Sequence, residues 1–227
     1  MKQIIIIGGG AAGFFCASNL DEKKYTITIL EQNSDVLQKV KISGGGRCNV
    51  THACFDPREL VQFYPRGNKE LLSVFTKFQP GDTMEWFEQR NVPLKIENDN
   101  RTFPESNSSQ TIINTFLNET QKKNVTVQTK CTVKEIEKQD EKYIVKTNSG
   151  DFEADYIVYT TGSSPKSLKI VENLGHKIVD LVPSLFTFNI KDELLKDLPG
   201  TSFENAGISI PKLKTEESGP LLITHWG

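Results

Sequence analysis

The residues with most to offer chemically lie in two glycine-rich clusters near the N-terminus. Gly8-Gly9-Gly10-Ala11-Ala12-Gly13 has the GxGxxG spacing. In such a turn Gly8 permits the tight bend, Gly10 lets backbone approach a pyrophosphate, and Gly13 lets a helix pack closely on a strand. Phosphates would sit at the N-terminus of the helix that starts here, where the unpaired N–H groups around Ala11 and Ala12 and the positive end of the dipole meet their charge. Glu31, followed by Gln32, comes 18 residues after Gly13. An acid at that distance accepts hydrogen bonds from ribose hydroxyls and repels a 2′-phosphate. The second cluster is Ser43-Gly44-Gly45-Gly46-Arg47-Cys48-Asn49, a short way beyond Lys39. Its glycines expose backbone amides, Arg47 is a permanent cation, and Asn49 offers both a donor and an acceptor, all of which suit a pyrophosphate. The alternative is a glycine loop whose arginine pairs on the surface.

The elements that must position these groups follow from hydrophobic patterning. Gln3 to Ile7 is a continuous β-branched run that stops at the first glycines, Phe14 to Leu20 continues with helical spacing, and Tyr25 to Leu30 alternates as a buried strand ending at Glu31. That is a complete βαβ unit. The chain then reads as loop from Asn33 to Val50 and as helices from Asp56 to Asn91, with Asp82 and Glu85 as a capping box for the helix that carries Trp86 and Phe87. Ser108 or Ser109 caps a helix running to Lys123, and Val125 to Thr129 returns as a strand. Three short alternating runs, Cys131 to Glu137, Tyr143 to Thr147 and Asp151 to Glu153, predict an antiparallel meander. Tyr156 to Tyr159 is a further strand that ends in Thr160-Thr161-Gly162, and Ser167 to Leu174 is helical with Gly175 as its C-terminal cap. Past Pro183 the runs become short and strand-like, Leu185 to Ile190 and Gly207 to Ile210. The expected organisation is an α/β, Rossmann-like domain over residues 1–182, a parallel sheet with helices and a β-meander, followed over 183–227 by the beginning of a β-rich domain.

Composition narrows the function classes. Hydrophobic residues make up 37% and charged residues 25% of the chain, and the formal net charge is -2, which gives no basic face for nucleic acid. The apolar start is too short for a signal-peptide core or a membrane span, so a cytoplasmic protein without a membrane partner is expected. The four cysteines form no CxxC pair and no histidines cluster near them, so neither zinc nor a disulfide framework is indicated. His52, His176 and His225 are scattered, and none is assigned a catalytic role. Trp86, Phe87 and Phe78 recur on helices and are expected in the core. The charged run from Lys134 to Lys142 is expected on the solvated side of the meander.

The nucleotide is FAD or NAD. An NAD dehydrogenase continues βαβαβ with short links, whereas here about 90 residues separate the second strand from the third. That excursion, then a meander, then a strand ending in Thr-Gly, is the layout of flavoproteins of the glutathione-reductase type, which favours FAD. Ser43 to Asn49 following the N-terminal glycine turn also resembles the signature of bacterial BaiN/aminoacetone-oxidase-like flavoproteins, NAD(P)/FAD-dependent oxidoreductases. Arg101-Thr102-Phe103-Pro104, Thr160-Thr161-Gly162, Leu174-Gly175-His176 with Pro183-Ser184-Leu185, and Gly219 to Gly227 agree with it. The resemblance implies that Gly8 to Gly13 and Glu31 hold the ADP part and that Ser43 to Asn49 run along the pyrophosphate and ribityl chain. It further implies that Val133 meets the adenine through its backbone and that Thr161 and Gly162 close over the nucleotide. It implies flavin-mediated hydride transfer, with NAD(P)H as an electron donor and a small-molecule substrate that no residue identifies.

Two departures stand out. Only Ser163-Ser164-Pro165-Lys166 separates the Thr-Gly turn from the next helix, where the family carries a longer glycine-rich segment. The chain also ends at His225-Trp226-Gly227 where the family continues, so an N-terminal fragment is expected. Two competing readings follow. One is a nucleotide-binding module without turnover. The other is a dithiol reductase using Cys48 and Cys54, although five residues separate these cysteines where that motif has four.

Overall fold

The computed structural model describes residues 1–64, 66–182 and 187–225. β1 (Lys2–Ile7) leads into α1 (Ala11–Asn19) and β2 (Tyr25–Leu30), then α2 (Gln38–Ile42), the two-residue β3 (Thr51–His52) and the helices α3 (Pro57–Leu60), α4 (Asn68–Phe75) and α5 (Pro80–Glu88). A hairpin of β4 (Leu94–Ile96) and β5 (Arg101–Pro104) precedes α6 (Ser109–Lys122) and β6 (Thr126–Gln128). The strands β7 (Val133–Gln139), β8 (Lys142–Thr147), β9 (Asp151–Ala154) and β10 (Tyr156–Tyr159) follow, then α7 (Pro165–Asn173), and last β11 (Ser202–Ile210) and β12 (Thr215–Leu222). The chain divides into two compact units, Met1–Ile178 and Val179–Gly227.

The first unit is Rossmann-like. Its central sheet has the order β10-β1-β2-β6, with every neighbouring pair parallel. Successive side chains on a strand point to opposite faces, so the isoleucines of β1 serve two cores. Ile4 and Ile6 pack with Phe14 and Ala17 of α1 and with Ile112 and Phe116 of α6. Ile5 and Ile7 pack on the other face with Cys131, Ile136, Val145 and Ala154. That second face is covered by the antiparallel meander β7-β8-β9. A strand buried on both faces reads as a continuous apolar run, which is why β1 shows no alternation in sequence. The charged residues of β7 and β8 point outward, where Lys146 pairs with Glu137 and Lys142 with Glu153.

Several sequence expectations change. The helix that carries Trp86 begins at Pro80, and its capping box is Gln79 with Asp82 rather than Asp82 with Glu85. Proline is preorganised for the first helical position, which fixes the start there. The segment expected as loop from Asn33 to Val50 contains α2, preceded by Leu37 in the left-handed region and anchored by the Leu37 amide donating to the Gly9 carbonyl. A further three-stranded sheet, β3-β5-β4, carries no sequence pattern because its strands have only two to four residues. In the second unit β11 and β12 pair antiparallel and include Gly207 to Ile210. Of the run Leu185 to Ile190, residues 187–190 form no strand, and Leu185 and Phe186 lie outside the described residues, as do Pro183, Ser184, Trp226 and Gly227.

Candidate nucleotide site

A cavity of about 1040 Å³ opens at the carboxyl ends of β1, β2 and β10, whose last residues Ile7, Leu30 and Tyr159 line it. In an open parallel sheet this is where ligands bind, at the point where the chain leaves one strand for neighbours on opposite sides. Gly8, Gly10, Ala11 and Ala12 form one wall. Gly8 has φ +113°, and a Cβ on it would lie 2.5 Å from the Thr160 carbonyl oxygen. A Cβ on Gly13, which lies behind the wall, would come within 2.2 Å of the Gly8 carbonyl oxygen, so this glycine allows α1 to seat against the turn. Gly10 is different: a Cβ there meets nothing within 4 Å. The fold itself does not require glycine at position 10, and the open space in front of it is the cavity.

Glu31 is 9% exposed and already engaged. Its Oε2 accepts from the Gly9 amide at 2.8 Å, and its Oε1 accepts from the Asn33 amide and the Asn33 side-chain Nδ2, both at 2.8 Å. A carboxylate offers about four lone-pair sites, so capacity for an additional donor remains. The same acid thus braces the glycine turn and faces the cavity, which Gln32 and Asn33 also line. Asn33 escaped the sequence reading, although an Asn two residues past a strand-ending acid is the type that turns back on its neighbour.

Lys39, Thr161 and Gly162 converge on the cavity from two elements. The Lys39 Nζ lies 3.5 Å from where a Gly162 Cβ would sit, and among the described residues it has no ion-pair partner. The Thr161 Oγ1 is buried without a completed hydrogen bond. Its neighbour Thr160 is engaged: the single hydroxyl proton is shared between the carbonyls of Ile7 and Gly8, both at 3.0 Å, and ties β10 to the glycine turn. Burial pushes the Tyr159 phenol up, against the pull of Thr161 and of Ser167, whose carbonyl accepts from it. Val133, at the start of β7, completes this end of the wall.

The second glycine cluster divides in two. Ser43, Cys48 and Asn49 line the cavity, whereas Gly44, Gly45 and Arg47 do not. Gly44, Gly45 and Gly46 have φ of +56°, +67° and +84°, a left-handed run that side chains resist. A Cβ on Gly44 would lie 2.8 Å from both the Asn49 amide nitrogen and the Phe103 ring. Arg47 is turned onto the neighbouring hairpin, with its guanidinium 3.9 Å from the centre of the Phe103 ring and 2.6 Å from Glu97. Cys48 itself has φ +63°, and burial pushes its thiol up against a contact to Ser43. All four cysteines are free, and Cys54 is not part of the wall. Four aromatic residues, Phe15, Phe78, Phe87 and Phe116, also line the cavity. Phe87 and Trp86 are core residues as expected, but Phe78 is 40% exposed. Among the described residues no group of three or more His, Cys, Asp or Glu could hold a metal, and no helix is long and apolar enough to cross a membrane.

A family model described as the HI0933-like protein Rossmann domain matches residues 2–218. Among curated proteins the chain is similar to the ribosomal RNA dihydrouridine synthase of Escherichia coli (strain K12), with 27% identity over 236 residues that cover 98% of this chain and 57% of that one. It is also similar to the 3-dehydro-bile acid delta(4,6)-reductase of Clostridium scindens, with 24% identity over 240 residues that cover 100% of this chain and 58% of that one. The chain therefore spans 57% to 58% of the length of these relatives. Among solved structures, that of Thermovibrio ammonificans THI4 superposes with a TM-score of 0.51 at 12% identity, covering 78% of this chain and 64% of that one, a likeness of fold.

Proposed function

This chain belongs to the HI0933-like Rossmann-domain family, and from that premise we propose that it binds FAD and forms part of an oxidoreductase. One observation carries the reading. Gly10 faces open cavity with no steric need to be glycine, at the N-terminus of α1 where a helix presents free N–H groups to an anion. The surrounding groups fit a dinucleotide. The volume is at the upper end of the roughly 300 to 1,000 Å³ usual for ligand pockets. Lys39 supplies a cation that no carboxylate of the described residues neutralises, and the Thr161 hydroxyl is a buried group whose approach to the Tyr159 phenol falls short of a hydrogen bond. Glu31 would take the ribose, Val133 the adenine, Gly8 to Gly13 and Lys39 the diphosphate, and Ser43, Cys48 and Asn49 the chain beyond it.

FAD, when bound, supplies hydride-transfer chemistry. The protein's own part is to fix the nucleotide and to shield the reacting end. The α1 N-terminus and Lys39 offset the diphosphate charge, and the aromatic lining offers an apolar face to a planar ring. Relatives named a dihydrouridine synthase and a delta(4,6)-reductase support a reductive reaction, with NAD(P)H as the proposed donor. The finer assignment within the family is to the BaiN/aminoacetone-oxidase-like flavoproteins, and rests on the Ser43 to Asn49 motif.

The test is to denature the purified chain, identify any released nucleotide by absorbance and mass, and titrate the apoprotein with FAD, NAD and ADP. Selective retention or uptake of FAD is the expected result. Equal, weak binding of ADP and FAD would support instead a module that grips only the adenine half, and uptake of NAD alone would overturn the cofactor assignment.

A further inference from the structure

The permanent cation of Arg47 suits a direct phosphate contact, yet its guanidinium is committed elsewhere. We propose that Arg47 is a positioning residue, which clamps the 43–49 loop to the β4-β5 hairpin so that Ser43, Cys48 and Asn49 present themselves to the dinucleotide. This inference rests on the FAD reading above for its ligand, but its structural content does not.

Three observations carry it. First, Arg47 lies outside the cavity wall while its neighbours Cys48 and Asn49 are in it. Second, both of its strong interactions lead to the hairpin: the ion pair to Glu97 Oε1, and the stacking over Phe103, which is fully buried. Glu97 is itself held, its other oxygen lying 3.6 Å from Arg101, whose guanidinium also pairs with Asp99. Third, little else ties the loop to the hairpin. Three consecutive left-handed glycines have the largest conformational freedom to lose. The loop's other hydrogen bonds are mostly within itself or to the helix just before it, namely the Ser43 amide to the Lys39 and Val40 carbonyls, the Arg47 amide to the Gly44 carbonyl, the Cys48 amide to the Ser43 carbonyl and Ser43 Oγ to the Val40 carbonyl, while Asn49 Oδ1 reaches the hairpin by accepting from the Thr102 amide at 3.2 Å. Asn49 and Arg47 therefore grip the same hairpin strand from two sides. A planar guanidinium suits this role, because it stacks on an aromatic face and pairs with a carboxylate at its edge at the same time.

Glu97→Gln distinguishes a clamp from a direct contact, since Glu97 does not line the cavity. It should weaken FAD by up to about fivefold, the upper limit for one partly exposed ion pair. Arg47→Ala, which also loses the stacking, should weaken FAD by about tenfold or more. ADP, which does not reach the loop, should bind both variants as it binds the wild type. Amide hydrogen exchange over residues 43–49 should speed up in both variants without any ligand, with unchanged circular dichroism. Wild-type or tighter FAD binding by Glu97→Gln together with weakened binding by Arg47→Ala would overturn the clamp and place Arg47 on the cofactor. If the wild type binds neither FAD nor ADP, the FAD reading fails, and unchanged exchange in Glu97→Gln would separately refute the clamp.

Discussion

The glycine turn makes a prediction in which two neighbouring substitutions of identical chemistry have opposite effects. Gly10→Ala places its methyl in open space on an extended backbone, φ -92° and ψ -172°, that any residue adopts. Loss of glycine from the unfolded chain favours the variant by about 0.4 to 1 kcal/mol. The preference of the helix N-cap for glycine over alanine opposes this by a similar amount, so folding stability should change by less than about 1 kcal/mol. Binding should change far more, because the methyl occupies the space through which a diphosphate reaches the α1 amides. If the crowding costs about 1 to 3 kcal/mol, the range for overpacking, FAD and ADP both weaken by roughly 5- to 150-fold. Gly13→Ala drives its Cβ to 2.2 Å from the Gly8 carbonyl oxygen, a backbone atom that cannot swing aside. It should lose stability by about 1 to 3 kcal/mol or more. At about 2 to 4 °C per kcal/mol for a chain of this size, the melting temperature should drop by several degrees or more. Thermal melts by circular dichroism, paired with ADP and FAD titrations by calorimetry, separate the two. A Gly10→Ala protein that melts normally and binds both nucleotides normally would refute the placement of the diphosphate at this turn.

Glu31→Ala should weaken ADP and FAD alike, by about 1.5 to 3 kcal/mol, and should also lower the melting temperature because the Gly9 and Asn33 donors lose their acceptor. A variant that melts lower yet keeps its ADP affinity would restrict Glu31 to bracing the turn. Glu119 makes a pH prediction. Burial opposes its ionisation, but hydrogen bonds from Lys122 and Arg90 outweigh it and hold the carboxyl below its ordinary 4.5. Its contribution to stability is full above that value and is lost as pH falls through the lower folded-state value. The stability gap between wild type and Glu119→Gln, measured by denaturant unfolding, should therefore close in acid, and a gap independent of pH down to full protonation would contradict the assignment. Iodoacetamide should label Cys48 at least about tenfold more slowly in the native than in the unfolded chain at pH 8, since burial raises its thiol and only the thiolate reacts. Mass spectrometry showing equal rates would mean that the 43–49 loop is open.

What was legible in the sequence was whatever has a strong local cause. The β1-α1-β2 unit follows from a β-branched run, a glycine turn and a helical pattern, each a matter of a few adjacent residues. The meander followed from alternation and turn residues, and β7, β8 and β9 lie within two or three residues of the expected runs. Of the site residues drawn from the glycine turn, all but Gly13 come together with Glu31 and the Thr161-Gly162 pair at one cavity, because a parallel sheet brings its carboxyl ends together. The orientation of Arg47 could not be read. It is decided by Glu97 and Phe103, 50 and 56 residues away, on a hairpin whose strands are too short to carry a pattern of their own. Phe78 misled for a related reason: an aromatic residue at helical spacing has no mark that separates core from cavity wall.

The pairing of β10 with β1 has a consequence for how the molecule comes into being. Ile4 lies beside Tyr156 and Ile7 beside Tyr159, and the Thr160 hydroxyl then closes on the carbonyls of Ile7 and Gly8. As the chain leaves the ribosome, the nucleotide turn appears well ahead of the groups that lock it, which are synthesised about 150 residues later. At roughly 5 to 20 residues per second that is a wait of some 8 to 30 seconds. Until then β1 has one open flank of unpaired amides and carbonyls along four consecutive isoleucines, the kind of edge that recruits another chain. The residues that define the fold are thus also those most exposed to misassembly during synthesis, and a nucleotide that binds the glycine turn can stabilise it fully only after Thr160 has arrived.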